Sequence, residues 1–216
     1  MGAPSAAEAI ANNVALCRAV LSANGRRVTP FGDGYVTWDA PLPLYPSAVL
    51  TAPERPDGLV RLPEGAGVKD ATGRHDLSPL GFRRLIEARW IGFPAPRPEP
   101  AHAPERIGRD GLRDWAAAWD GGAEVWRSGL LALPEVRIVG WRLARRLIAG
   151  AVLNEGPAGT VGLSNLFGPP EDLPSRIAGI AATWLDRAVV AWEADPAPFL
   201  ALGFADLGPL AVWLRT

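Results

Sequence analysis

The sequence predicts an α/β protein of the α+β kind, in which a mixed, mostly antiparallel sheet is flanked by helices. Three observations indicate this class. Hydrophobic residues make up 48% and charged residues 21% of the 216 residues, which is the composition of a folded globular chain. Apolar residues recur at helical spacing near the N-terminus and change to strand-like runs after residue 136. A proline-rich segment at 93–104 separates two halves.

The N-terminal half, residues 1–104, is expected to begin with a helix and to continue through short strands. The helix is indicated by apolar residues at helical spacing, Ile10, Val14, Cys17 and Leu21. Short strands are predicted at 35–38, 47–51 and 59–62, between frequent prolines and glycines. The segment 93–104 holds five prolines in twelve residues. Because proline lacks the amide donor and fixes φ, we place the boundary between the halves there.

The C-terminal half, residues 105–216, predicts the order helix, helix, three strands, helix, strand, helix, strand. Asp110 is expected to cap the first helix. The three strands, at 136–141, 147–154 and 160–167, form an antiparallel meander. A helix carrying Ile177 and Ile180 on one stripe follows them. The remaining elements are a strand at 188–193, a short helix at 196–202 and a last strand at 207–214.

The two halves resemble each other at one place. The first half contains Val68-Lys69-Asp70, Leu80-Gly81-Phe82 and Trp90-Ile91, and the second contains Val190-Ala191-Trp192, Leu202-Gly203-Phe204 and Trp213-Leu214. Thirteen residues lead from the valine to the glycine in both. Each segment is expected to form a strand, a short helix, a glycine cap and a strand. This repeat suggests an ancient duplication whose first copy has lost elements.

Charge and cysteine content narrow the function classes. The net charge is −1, and the 22 basic residues are interspersed among 23 acidic ones, so no footprint for nucleic acid is visible. Cys17 is the only cysteine, which excludes an intrachain disulfide and a cysteine-based zinc cluster and fits a reducing cytosol. No apolar run approaches the roughly 20 residues that span a bilayer. We therefore expect a cytoplasmic protein with no membrane partner.

Residues 105–216 resemble the GNAT superfamily of acyl-CoA-dependent N-acetyltransferases. The strand TVGLSNLF followed by a helix, the strand VVAWE followed by a short helix ending in ALGF, and the closing strand LGPLAVWL carry the match. The resemblance implies acetyl-CoA or another acyl-CoA as the ligand, in a cleft where the first two of these strands diverge. With VKD and PLGF in the first half, it also implies a tandem: a degenerate GNAT-like half at 1–104 and a GNAT-like domain at 105–216.

The resemblance assigns cofactor contacts to five residues. Backbone groups of Leu163, Ser164 and Asn165 would pair with the pantetheine amides. The start of the following helix, with Ser175 and Arg176, would receive the pyrophosphate. The first amides of a helix are unpaired and its dipole favours an anion, which supports that placement.

The resemblance also assigns the chemistry. Glu193, at the end of its strand, is the candidate base that takes a proton from an ammonium, and Asn165 would polarise the thioester carbonyl. The acyl group would pass from coenzyme A to an amine of a small molecule or a protein. No metal ligands are implied, and a homodimer is left open.

Two departures from the family pattern keep a second function open. The loop FGPPEDLPSR places three prolines and the carboxylates of Glu171 and Asp172 where a diphosphate is expected, and the last short helix, PAPFLALGF, lacks the tyrosine that commonly protonates the thiolate. Both fit a catalytically inactive GNAT-like pseudo-enzyme that acts as a binding or interaction module. Glu193 would then be a surface carboxylate, and Asn165 would serve only a strand bulge.

Overall fold

A computed structural model describes residues 3–52, 56–94, 103–119, 123–157, 159–183 and 187–216. This part of the chain forms helices, strands and short 3-10 turns. The helices are α1 (Ala6–Ala23), α2 (Leu112–Ala118), α3 (Leu173–Thr183) and α4 (Ala197–Ala201). The strands are β1 (Thr29–Phe31), β2 (Gly34–Val36), β3 (Ala48–Leu50), β4 (Gly67–Asp70), β5 (Phe82–Phe93), β6 (Glu105–Arg106), β7 (Val136–Leu143), β8 (Arg146–Glu155), β9 (Val161–Phe167), β10 (Val189–Glu193) and β11 (Ala205–Arg215).

The first helix forms where its periodicity predicts it, because its N-terminus is capped and one face is buried. The Ser5 hydroxyl accepts a hydrogen bond from the Glu8 amide at 3.2 Å, and the Glu8 carboxylate accepts one from the Ser5 amide at 2.6 Å. This reciprocal pairing is a capping box. Gly25, with φ of 73°, lets the chain turn away at the C-terminal end.

All eleven strands form one sheet in the order β1-β2-β3-β4-β11-β5-β10-β9-β8-β7-β6. The pairs β3–β4 and β9–β10 are parallel, and the other neighbouring strands are antiparallel. Flanking helices cover the sheet. The predicted fold class, a mixed and mostly antiparallel sheet flanked by helices, is confirmed.

The helices lie on opposite faces of the sheet. Neighbouring residues of a strand point to opposite faces, and Trp90 belongs to the apolar cluster that contains residues of α1 and α2, whereas Ile91 belongs to the cluster of α3 and α4. Val152 and Leu153 of β8 divide in the same way. Helices α1 and α2 therefore pack on one face of the sheet, and α3 and α4 on the other.

The two halves contribute to the sheet in a repeated pattern. Strands β1 to β4 run inward from one side and β7 to β10 from the other, while β5 and β11 pair with each other at the centre after crossing to the opposite half. Both halves therefore belong to one sheet, and the boundary at 93–104 stays a prediction; residues 95–102 lie outside the described residues. The ancestral duplication stays a prediction.

Several sequence-based boundaries differ from the structure. Residues 59–62 are not a strand, because Pro56–Arg61 forms a 3-10 turn. Asp110 does not cap α2, which begins at Leu112 after Gly111 with no side-chain cap. The short segment Trp90-Ile91 is the end of a twelve-residue strand, β5. The arginines of β5 interrupt the alternation of apolar and polar residues, so the periodicity did not predict the full length of this strand.

Candidate functional site

The parallel strands β9 and β10 separate soon after they meet. They pair only at Val189 with Val161 and at Val190 with Gly162. Beyond these pairs β9 continues to Phe167 and β10 to Glu193 without bonding to each other. The corresponding parallel strands of the N-terminal half, β3 and β4, pair along all three residues of β3. The sheet therefore has an open gap between β9 and β10, in the part that the C-terminal half forms.

A bulge in β9 shapes one edge of this gap. Ser164 lies opposite Val152 and Phe167 opposite Gly150, so two residues of β9 face the single residue between them on β8. One of the two is Asn165, whose φ of 52° lies in the left-handed region. Asparagine tolerates this conformation better than most residues, which explains its presence here. The bulge interrupts the regular ladder of β9 beside the gap.

A cavity of about 650 Å³ reaches the gap. Its wall is mostly apolar and combines α1, the segment 41–46, the central strands and both strands that border the gap. The lining residues include Leu16, Leu42, Tyr45, Lys69, Ile86, Trp119, Ser164, Asn165, Trp192, Glu193, Val212 and Trp213. Trp192 and Trp213, whose sequence positions fit either packing or a cleft wall, both line it. The volume lies in the range of small-molecule sites.

Glu193 is the carboxylate of this cavity. It ends β10, opposite Arg89 of β5, and is half-buried. Burial raises the pKa of Glu193 to about 7, and the nearby Asp195 carboxylate adds to the rise. A carboxyl group that titrates near neutral pH can take up and release a proton during a reaction. Glu193 thus lies at the gap with a raised pKa, and its role as the base stays a prediction.

Tyr45 brings a phenol to the same cavity from the N-terminal half. A tight turn joins Leu42 to Tyr45, whose amide donates to the Leu42 carbonyl at 3.2 Å. The Tyr35 hydroxyl donates to the Pro46 carbonyl at 2.9 Å and anchors the end of the turn. Burial raises the pKa of Tyr45, while the adjacent Asn165 side chain lowers it in part. Tyr45 was not predicted as a site residue, because the family pattern places the phenol in the last short helix and no local signal links residue 45 to that helix.

Three of the described residues that line the cavity carry a buried polar atom without a partner. Within the described residues, the Tyr45 hydroxyl, the Ser164 hydroxyl and the Trp213 indole nitrogen are buried without a hydrogen-bond partner at bonding distance. Buried polar groups are nearly always paired in folded proteins, so three orphans in one wall require an explanation. Leu163, the third predicted cofactor contact on β9, is buried and pairs with Leu153 of β8.

The start of α3 differs from an open anion site. Ser175 is exposed, but the Arg176 guanidinium is buried and donates to the Phe167 carbonyl at 2.7 Å and to the Pro169 carbonyl. The Asp172 amide already donates to Pro169 as well. Arg176 therefore holds the loop between β9 and α3, and its assignment to a diphosphate stays a prediction.

Two further features bear on ligand class. Among the described residues, no group of three or more His, Cys, Asp and Glu side chains is arranged to hold a metal ion. None of the helices in that part of the chain has the length and apolar character needed to cross a membrane.

Solved structures share this architecture. A GCN5-related N-acetyltransferase from Kribbella flavida superimposes with a TM-score of 0.60 over 96% of this chain and 95% of its own, at 12% identity. The fold is that of the GNAT acetyltransferases. A protein described as a GNAT-family acetyltransferase from Novosphingobium aromaticivorans matches with a TM-score of 0.54 over 78% of this chain and 83% of its own, at 17% identity.

The GNAT likeness is structural only. A conserved protein of unknown function from Staphylococcus epidermidis matches comparably, with a TM-score of 0.55 at 11% identity over 73% of this chain and 74% of its own. No protein-family model and no curated protein matches the sequence. At these identities the GNAT fold is common to the structures, while function depends on the residues of the site.

Proposed function

We propose that this protein is an acyltransferase that moves an acetyl or larger acyl group from acyl-CoA to an amine. The observation that carries the proposal is the gap between β9 and β10 beyond Gly162 and Val190, reached by a cavity whose wall holds Glu193, Asn165 and Tyr45. Backbone groups freed from strand pairing in the gap can bond to the amides of a pantetheine arm. The GNAT fold supports the reaction class.

The proposed reaction uses three side chains. Glu193 takes one proton from the substrate ammonium, and the free amine attacks the thioester carbonyl carbon. The Asn165 amide donates to the carbonyl oxygen as it becomes negative. The C–S bond then breaks, Tyr45 gives its proton to the departing sulfur, and the nitrogen returns a proton to Tyr45. The products are an amide, free thiol and one proton released from Glu193.

Tyr45 supplies the phenol that the last short helix lacks, as the acid that protonates the departing thiolate. A phenol with a raised pKa remains protonated near neutral pH, as a general acid must, and its buried hydroxyl has no bonded partner among the described residues. Asn165 lies beside it at the bulge. We therefore infer that the first half of the chain contributes to catalysis in the second.

The second candidate function is a pseudo-enzyme that keeps the fold without using acyl-CoA. It is favoured by the loop before α3, where Pro169, Pro170 and Pro174 offer no amide donors and Glu171 and Asp172 repel a diphosphate. Arg176 is bonded within that loop. If the protein is instead an acyltransferase, these features weaken binding of the diphosphate. Most of the affinity for acyl-CoA then comes from contacts of its pantetheine arm in the gap between β9 and β10.

Acetyl-CoA itself separates the two candidates. A ligand that binds only the folded state raises the unfolding temperature, so wild-type protein should show a saturable rise with acetyl-CoA and a smaller one with ADP. Thiol release in the presence of an amine panel then measures transfer, and Glu193→Gln should abolish it. No thermal shift at millimolar acetyl-CoA would exclude the enzyme. Glu135→Gln, which changes an exposed carboxylate outside the cavity, is the matched control.

A further inference from the structure

The only lysine of the chain, Lys69, is buried in the wall of the cavity. It lies in the middle of β4, opposite Val212 of β11, and only 4% of it is exposed. The chain uses arginine for all its other basic side chains. A lysine is rarely buried unless something pairs with its charge, so this position needs a physical reason.

The contacts of Lys69 leave its charge unbalanced. Its ammonium donates to the Asn13 amide oxygen at 2.8 Å and lies 4.5 Å from the ring centroid of Trp192. None of the ion pairs formed within the described residues includes Lys69. Cys17, which shares the Asn13 oxygen at 3.7 Å, is no counter-ion, because burial raises the pKa of its thiol.

The ammonium has donors to spare for a ligand. An ammonium carries three N–H groups, and Asn13 accepts from one of them. The Trp192 ring stabilises the cation through its π face without using the donors fully. Burial lowers the pKa of Lys69, as expected for an ammonium that lacks an anionic partner. An anion in the cavity would supply that partner.

The position of Lys69 relative to Glu193 suggests which part of the substrate it binds. Strand β4 is separated from β10 by β11 and β5, and three strand spacings amount to about 14 Å. Lys69 extends toward Trp192, the residue before Glu193. Among the described residues that line the cavity, Lys69 and Glu193 are the two charged side chains, and most of the others are apolar. One site thus offers a cation, a carboxylate that accepts a proton, and an apolar surface.

We propose that Lys69 is the counter-ion for a carboxylate on the substrate, so that the acyl acceptor is a carboxylate-bearing amine with an apolar body. This inference rests on the proposed acyltransferase function and names its substrate class. The amine lies at Glu193 and the carboxylate at Lys69, with the apolar body against residues such as Leu16, Ile86 and Trp192. A carboxylate on the acyl group of the donor has the same chemistry and is the other source to be distinguished.

A single lysine allows the binding to be observed directly. Lysine labelled with ¹³C at Cε gives one lysine resonance in this chain, whose shift reports the protonation of Lys69. L-leucine, L-phenylalanine and 5-aminopentanoate are titrated against their carboxamides, without any acyl donor. We expect at least one acid to shift the resonance saturably and to raise the lysine pKa, and its carboxamide to bind about 10- to 100-fold more weakly.

Variants separate recognition from folding. Lys69→Met removes a buried unpaired cation, so it should unfold at the same or a higher temperature while losing the preference for acids over carboxamides. Lys69→Arg should keep part of the preference. Arg113→Met, at an exposed cation of α2 outside the cavity, should keep all of it. If Lys69→Met proves too unstable, the ¹³C titration of the wild type still shows whether a carboxylate binds at Lys69.

The outcomes distinguish this inference from the proposed function. If succinyl-CoA shifts the resonance and the amino acids do not, the subsite is supported and the carboxylate belongs to the donor. Equal binding of acids and carboxamides, or no shift with any acid or with succinyl-CoA, would overturn the subsite. Carboxylate binding without any thiol release would instead leave the subsite in place and remove the acyltransferase function.

Discussion

Replacing Glu193 by glutamine should change how stability depends on pH, because the carboxyl group titrates differently in the folded and unfolded chain. Its pKa is about 7 in the folded protein against an ordinary value of 4.5. Between these pH values the unfolded chain has lost the proton and the folded chain has kept it. Stability therefore falls as the pH rises from about 4.5 to about 7 and stays reduced above that range.

The size of the effect follows from the shift. Each pKa unit corresponds to 1.36 kcal/mol, so the wild type should lose up to about 3 kcal/mol through this group between pH 4.5 and 8. Glutamine has no titration in this range. The free energy of unfolding of Glu193→Gln minus that of the wild type should therefore increase by up to about 3 kcal/mol as the pH rises from 4.5 to 8.

Urea denaturation followed by tryptophan fluorescence measures this at pH 5, 6, 7 and 8. The nine tryptophans provide the signal. Glu135→Gln is again the matched control, and its difference from the wild type should be the same at every pH. A difference between Glu193→Gln and wild type that does not vary with pH would show that Glu193 is solvated in the folded protein, and would remove its claim to be a neutral-pH base.

Four further changes test other parts of the site. Tyr45→Phe should lower turnover about 100-fold while the acetyl-CoA thermal shift stays the same, and unchanged turnover would exclude the phenol as the acid. Asn165→Gly, which suits the positive φ, should leave stability nearly unchanged but lower turnover at least about 10-fold; full activity would reduce Asn165 to a bulge residue. Neutralising Glu171 and Asp172 together with glutamine and asparagine should tighten acetyl-CoA binding about 3- to 10-fold at low salt, measured by calorimetry, and an effect that persists at 1 M salt would not be electrostatic. Asn12→Ala should destabilise the fold by about 2–4 kcal/mol in urea denaturation, because it takes the Asn12 oxygen away from the buried Gly162 amide and Thr160 hydroxyl that donate to it; a loss below 1 kcal/mol would contradict this assignment.

The Asn12 contact illustrates why α1 docks where it does. With its amide oriented to satisfy all neighbours, Asn12 accepts from the Gly162 amide at 3.0 Å and donates to the Asn154 side-chain oxygen at 3.1 Å. Glycine is required at 162 because a Cβ there would overlap the Asn12 side chain. The helix thereby contacts β8 and β9 at Gly162, the last position of β9 that pairs with β10 before the gap opens.

Much of the C-terminal half could be predicted because its signals are local. The meander of β7, β8 and β9 follows from strand periodicity, and the end of α4 follows from Gly203, a glycine with positive φ. Glu193 and Asn165 were selected from their places at a strand end and in a strand. The structure adds that both residues border the gap between β9 and β10.

Other parts of the site depend on contacts between residues that lie far apart in the chain. Tyr45 is separated from Asn165 by most of the chain, and Lys69 reaches Trp192 across two intervening strands. Arg176 could not be assigned to the loop carbonyls from sequence, since its donors suit a phosphate equally well. Periodicity reports which face a residue occupies and not which distant residue it meets.

By itself the sequence determined the fold class, the order of the elements from β7 to β11 and the carboxylate at the end of β10; the second helix predicted before β7 is instead a pair of short 3-10 turns. Tertiary structure decided that both halves share one sheet, that β9 and β10 part after two pairs, and that a phenol and the single lysine come from the first half to the cavity. The reason is that secondary structure follows local spacing, whereas a cavity is formed by the packing of elements that exchange between the two halves.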